Sequence, residues 1–187
     1  MSGERKTDRR TIYTLNVIQT AFLELIDQQP FAKITVAQLC RQAEITRSTF
    51  YLHYANLNEV LNAVLDQALM FNQPLRLDDE EGSMLPACQR IAGSAKYRRL
   101  LMDPDLSEYV VARIARHEQG RAVPQIMLRT GLSKEEASSL FTYILHGSLA
   151  INKRHHFTRS PEWFRDVKMI QKFVNGGYQA LRQKENH

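Results

Sequence analysis

Only two cysteines, Cys40 and Cys88, occur in the 187 residues of the chain. Thiols so few and so far apart supply neither a disulfide framework nor the paired spacing of a zinc site, and packing as small apolar side chains in helices accounts for both. Eight glycines and six prolines are too few for long glycine loops or an all-β architecture. No apolar run approaches the ~18 residues of a membrane span, and the polar start MSGERKTDRR lacks the apolar stretch of a signal peptide. The expectation is a soluble, cytoplasmic protein with no membrane partner. Also absent are a phosphate-cradling glycine loop, a nucleophile elbow and an H-E-x-x-H helix, so the chain is not expected to be an enzyme. His155-His156 invites a metal reading, but Lys153, Arg154 and Arg159 would repel a cation there. A basic loop is the better reading, and no cofactor is implied.

What is present points to an all-α fold. Apolar residues at 43% and charged ones at 24% suit an ordinary folded domain, and the length allows one large or two small ones. Residues 1–8 read as a disordered basic tail, which as an arm would touch phosphates or a minor groove. From Arg9 to Gln28, Ile12, Leu15, Ile18, Phe22, Leu25 and Ile26 recur at helical spacing and predict a first helix with one buried face. Thr35 with Gln38 forms a T-x-x-Q capping box for a second helix carrying Leu39 and Cys40. Ala43-Glu44-Ile45 interrupts it, and Thr46 caps a third whose apolar members are Phe50 and Tyr54. On the other side of that third helix stand Arg47, Ser48, Thr49, Tyr51 and His53, donors and acceptors suited to base edges and phosphates. Two short helices joined by a three-residue turn form a helix-turn-helix, whose second helix enters the DNA major groove. Phe22, Ile34, Leu39, Ile45 and Phe50 are the expected shared core of this unit.

Asn56 and Glu59 cap a fourth helix to about Phe71, expected to link the reading unit to the rest of the chain. A loop with the acidic run Asp78-Asp79-Glu80-Glu81 follows, then helices at about 85–95, 96–102 and 106–118, and a short one at 124–130 with Pro124 first and Gly131 as C-terminal cap. Ser133 and Glu136 open a long helix to about Arg154, and Ser160-Pro161 opens the last, to about Gln183. In the last helix Trp163, Val167, Ile170, Val174, Gly177 and Leu181 alternate by four and three, the spacing of a helix–helix seam. With Gly147 and Gly176 inside these helices, where each costs roughly 1 kcal/mol, the expectation is a homodimer closing a four-helix bundle through the last two helices.

The amphipathic first helix, FAKITVAQLCRQA at 31–43, TRSTFYLHY at 46–54 and NLNEVL at 56–61 together resemble the N-terminal domain of the TetR family of transcriptional regulators. The resemblance covers the first third of the chain, and the remainder matches only in its all-helical layout. It implies a DNA-binding domain at 1–56 and a larger helical ligand-binding and dimerisation domain at 57–187. It also implies a homodimer on a palindromic double-stranded operator, usually a repressor, released by a small-molecule effector in the C-terminal domain. By the same resemblance Thr35 meets a phosphate, Arg47, Ser48 and Thr49 face the groove, and Tyr51 and His53 contact phosphates. Two positions depart from the pattern. Glu44 stands where the turn usually has glycine, and Leu57 where a lysine commonly reaches for phosphate.

Tyr97, Tyr109, Phe141, Tyr143 and His146 offer the mixed aromatic and polar groups that would line a ligand site. A TetR-like activator or co-regulator governed by a protein partner, with no small-molecule ligand, is the alternative. The formal charge of +5 does not decide between partners, because it is misplaced for a DNA reader. Residues 1–56 hold seven basic and five acidic side chains, a net of +2, whereas 146–187 hold eight and three, a net of +5.

Overall fold

The computed structural model describes residues 2–70 and 95–182, with side chains at 9–69 and 97–182. The acidic loop after Phe71, the helix expected at 85–95 and Cys88 lie outside the described residues. The fold is all-α, and no strand occurs among the described residues. Within those residues the α-helices follow in order: α1 (Ser2–Gln28), α2 (Val36–Gln42), α3 (Arg47–Tyr51), α4 (Leu57–Met70), α5 (Ala95–Met102), α6 (Ser107–Thr130), α7 (Lys134–Arg154) and α8 (Pro161–Arg182). A 3-10 turn at Phe31–Lys33 joins α1 to α2. The chain divides into two compact units, Met1–Phe71 and Asn72–His187.

In the first unit, Ile18, Phe22 and Ile26 of α1 are almost fully buried together with Leu39, Phe50, Leu61 and Leu65. Phe22 meets Phe31 edge-on with ring centroids 6.0 Å apart, which anchors the turn between α1 and α2. Of the expected shared core, Phe22, Ile34, Leu39 and Phe50 are buried, and Ile45 is half-buried. Three expectations change. Helix α1 begins at Ser2, so the first residues continue the helix and do not form a loose arm. Ile12 is 50% exposed, because α1 outruns the helices that could cover it. Helix α4, placed by sequence after the boundary at 56/57, packs on α1 through the face carrying Val60, Leu61, Val64 and Leu65, and falls within the first compact unit.

In the second unit α6 is the central helix, with α5, α7 and α8 all packed on it. The sequence pattern predicts two helices where α6 runs unbroken through Gly120 and Pro124. Proline lacks the N–H that would bond back to the Gly120 carbonyl. Burial of Val110, Val111, Ile114, Ala122, Val123 and Ile126 along one continuous helix outweighs that loss. Gly131 ends α6 at φ 75°, a left-handed C-cap as its position implied.

Both Ser133–Glu136 hydrogen bonds of the α7 capping box are made, and they hold the Glu136 carboxyl below its ordinary pKa. Ser160 caps α8, its hydroxyl accepting from the Trp163 N–H at 3.2 Å. The α7–α8 turn is fastened twice. The Trp163 indole donates to fully buried Asn152 at 3.0 Å, and His155 Nε2 lies 2.8 Å from Asp166.

Candidate nucleic-acid interface

Helices α2 and α3 are too short to be stable alone, so their ends have to be satisfied locally. At α2 the Thr35 hydroxyl accepts from Gln38 N at 3.2 Å, and Gln38 Oε1 accepts from Thr35 N at 2.9 Å. Thr35 is exposed, and the uncapped N–H groups of the first turn stand beside its hydroxyl, a geometry suited to an anion. At α3 the Thr46 hydroxyl accepts from Thr49 N at 3.1 Å and lies 3.0 and 2.9 Å from the hydroxyls of Ser48 and Thr49.

Between the caps, Ile45 N donates to Cys40 O at 2.9 Å and closes the turn. The closure puts Glu44 at φ 51°, the left-handed region, where a non-glycine residue costs on the order of 1 kcal/mol. Cys40 is buried beneath the turn, and desolvation raises its thiol pKa.

Phe50 fixes α3 to the core and organises the aromatic side chains around it. Its ring centroid is 5.2 Å from that of Tyr51, at 83°, and 6.1 Å from that of Tyr54. Tyr54 is buried, and its hydroxyl accepts from Gln19 Nε2 at 2.9 Å, tying the end of the reading unit to α1. Tyr51 is braced along its edge yet 57% exposed, which leaves its hydroxyl to a partner.

Arg47, Ser48 and Tyr51 therefore share the exposed side of α3, as the spacing predicted. Thr49 is half-buried with its hydroxyl turned to the cap, so it offers less to a groove than its neighbours. Helix α3 also ends sooner than expected, at Tyr51. Half-buried His53 sits in the turn that follows, its N–H bonded to Phe50 O at 2.9 Å.

Leu52, to which sequence reasoning assigns no role, is 80% exposed at the C-cap of α3. By composition an apolar residue so close to Phe50 and Tyr54 belongs to a core. The helical period was the signal that could have found it, since Leu52 lies four residues from Ser48 and two from Phe50.

Charge does not mark the site. Across residues 1–71 the cations Arg5, Lys6, Arg9, Arg10, Lys33, Arg41 and Arg47 equal in number the acids Glu4, Asp8, Glu24, Asp27, Glu44, Glu59 and Asp66. Four of those seven cations precede Thr11 on α1.

The five aromatic and polar residues expected to line a ligand site do not converge. Phe141 is buried and Tyr97 half-buried, and burial raises the Tyr97 hydroxyl pKa. Tyr143 is 66% exposed and His146 is exposed, two and five residues further along α7 and so off the Phe141 side. Tyr109 lies on α6 at 37% exposure. Among the described residues no group of three His, Cys, Asp or Glu side chains is placed to hold a metal ion, and no helix is long and apolar enough to cross a membrane.

No family model matches the chain, and no solved structure matches it. The chain is similar to an uncharacterised HTH-type transcriptional regulator, YxbF, of Bacillus subtilis (strain 168), at 38% identity over 66 residues. The match covers 35% of this chain and 17% of that relative, so the chain spans about a sixth of the length of the curated protein it matches. The partial likeness to a protein of that name and the two capped helices with their exposed polar side together support a helix-turn-helix in the first unit.

Proposed function

We propose that the chain is a sequence-specific, TetR-like DNA-binding regulator of transcription that acts as a homodimer on a palindromic operator. The observation that carries this reading is α3 itself, a short helix capped by Thr46 and fixed by Phe50, with Arg47, Ser48 and Tyr51 side by side on its exposed side. The Arg47 guanidinium grips guanine O6 and N7 with two hydrogen bonds. Ser48 reaches a neighbouring base edge, and Thr49 contributes once its hydroxyl leaves the cap. Thr35, Tyr51 and His53 hold phosphate oxygens and set the register. Leu57 makes no phosphate contact, and the basic start of α1, with Arg9 and Arg10 exposed, supplies the charge that the rest of a neutral unit lacks.

The dimer forms through α7 and α8. Most of the seam read from sequence turns inward, since Trp163 is buried and Val167, Ile170, Val174 and Leu181 are half-buried within their own chain, while its Gly177 is exposed. The side of α8 left outward carries Met169, Phe173, Gly176 and Ala180, again four and three residues apart, with Met169 63% and Phe173 72% exposed. A side chain added at Gly147, Gly176 or Gly177 would meet nothing within 4 Å, so close packing inside one chain does not account for these glycines. A second copy of α7 and α8 against that face does.

The regulator acts as a repressor, released when a small ligand binds in the second unit near Tyr97 and Phe141. Control by a protein partner is the second reading, favoured by the outward placement of Tyr143 and His146. A melting shift with a panel of small molecules separates the two, because a ligand raises Tm and a partner-controlled protein ignores the panel.

Selection of binding sites from random DNA with the purified chain tests the proposal as a whole. A palindromic motif is the expected result. Recovery of unrelated sequences would overturn it.

A further inference from the structure

We propose that Leu52 reads the 5-methyl group of a thymine, an inference that rests on α3 being the DNA-reading helix. Leu52 is 80% exposed, whereas Phe50 and Tyr54 on either side of it are buried at 0% and 7%. Its N–H donates to Ser48 O at 3.1 Å, so it still belongs to the last helical turn and lies in line with Ser48. The exposed side of α3 therefore presents Arg47, Ser48 and Tyr51, all hydrogen-bonding groups, and one large apolar side chain that the described residues leave uncovered. Of the groups that base pairs display in the major groove, the thymine methyl is the apolar one. A leucine whose neighbours hold the helix against the groove meets that methyl without strain, and both groups leave water.

Position narrows the thymine. Leu52 follows Arg47 by five residues, a rise of about 7.5 Å along a helix and so a little over two base steps of roughly 3.4 Å each. The thymine belongs one to three base pairs from the guanine that Arg47 grips.

The test uses the full chain and the site recovered from random DNA. Each thymine in a half-site is replaced in turn by deoxyuridine, which deletes the methyl and leaves every hydrogen-bonding group in place. One replacement per half-site is expected to weaken the wild-type chain about fourfold, the worth of one buried methyl. Leu52→Ala should bind the thymine site more weakly and lose that sensitivity to uracil, while Arg47→Ala keeps it. Leu52 contributes nothing to the core, so an unchanged far-UV circular dichroism spectrum and melt are expected for Leu52→Ala. Indifference of the wild-type chain to every uracil replacement overturns the proposal, as does equal sensitivity in Leu52→Ala. A wild-type chain that selects no sequence overturns both this role of Leu52 and the DNA-reading role of α3.

Discussion

Glu44 gives the sharpest test of how the reading unit is built. Its φ of 51° is imposed by the Ile45-to-Cys40 bond that closes the turn between α2 and α3. A residue with a Cβ pays roughly 1–2 kcal/mol in that conformation. Glycine would not, but it loses about 0.5–1 kcal/mol more chain entropy on folding. Glu44→Gly should therefore stabilise the first unit by about 0.5–1 kcal/mol. With an m-value of about 1 kcal/mol/M for a unit this small, the urea midpoint rises by about 0.5–1 M. Glu44→Gln keeps the strain and removes only the charge, so its stability should stay within the ±0.5 kcal/mol typical of surface changes. Glu44→Val, β-branched where φ is positive, should fall below both. Far-UV circular dichroism follows the transition. In DNA binding the Gly and Gln variants should gain alike, because both remove a negative charge from the unit proposed to meet phosphates. A glycine variant no more stable than the glutamine variant would show that the left-handed turn stores no strain.

Other outcomes follow from the same geometry. Arg47→Ala should flatten discrimination among operator variants while Tyr51→Phe weakens all of them alike, in mobility shifts on an operator series. Replacing Arg9 and Arg10 together by alanine should lower the slope of log affinity against log salt by about 0.9 for each phosphate no longer neutralised, equally on specific and unrelated DNA; an unchanged slope would exclude α1 from the interface. Met169→Glu with Phe173→Glu should convert a dimer to a monomer by light scattering at micromolar concentration, and a wild-type monomer would remove the dimer altogether. Hydrogen bonding from His155 lowers the Asp166 carboxyl pKa, so the stability it lends is present above the ordinary carboxylate pKa and is lost as pH falls through the lowered value. Asp166→Asn should accordingly lower Tm at neutral pH, by a margin that shrinks below about pH 4, as read from Trp163 fluorescence.

The sequence alone determined the helical fold class, the capping boxes at Thr35 and Ser133, the cap at Thr46, and the pairing of Arg47 with Tyr51 on one side of α3. These features are legible because each rests on interactions within four residues, where spacing and side-chain chemistry suffice. The left-handed turn at Glu44 was legible as a cost in waiting, and the backbone at φ 51° carries it.

What lay beyond reach depended on partners distant in the chain. Whether Gly120 and Pro124 break α6 depends on how much apolar surface a continuous helix buries against α5, α7 and α8. Whether Trp163–Leu181 faces inward or outward depends on α6, because two apolar sides of α8 carry the same four-and-three spacing and only tertiary packing chooses between them. Leu52 is the same problem in miniature. Its composition belongs to a core, and only the anchoring of Phe50 and Tyr54 turns it outward.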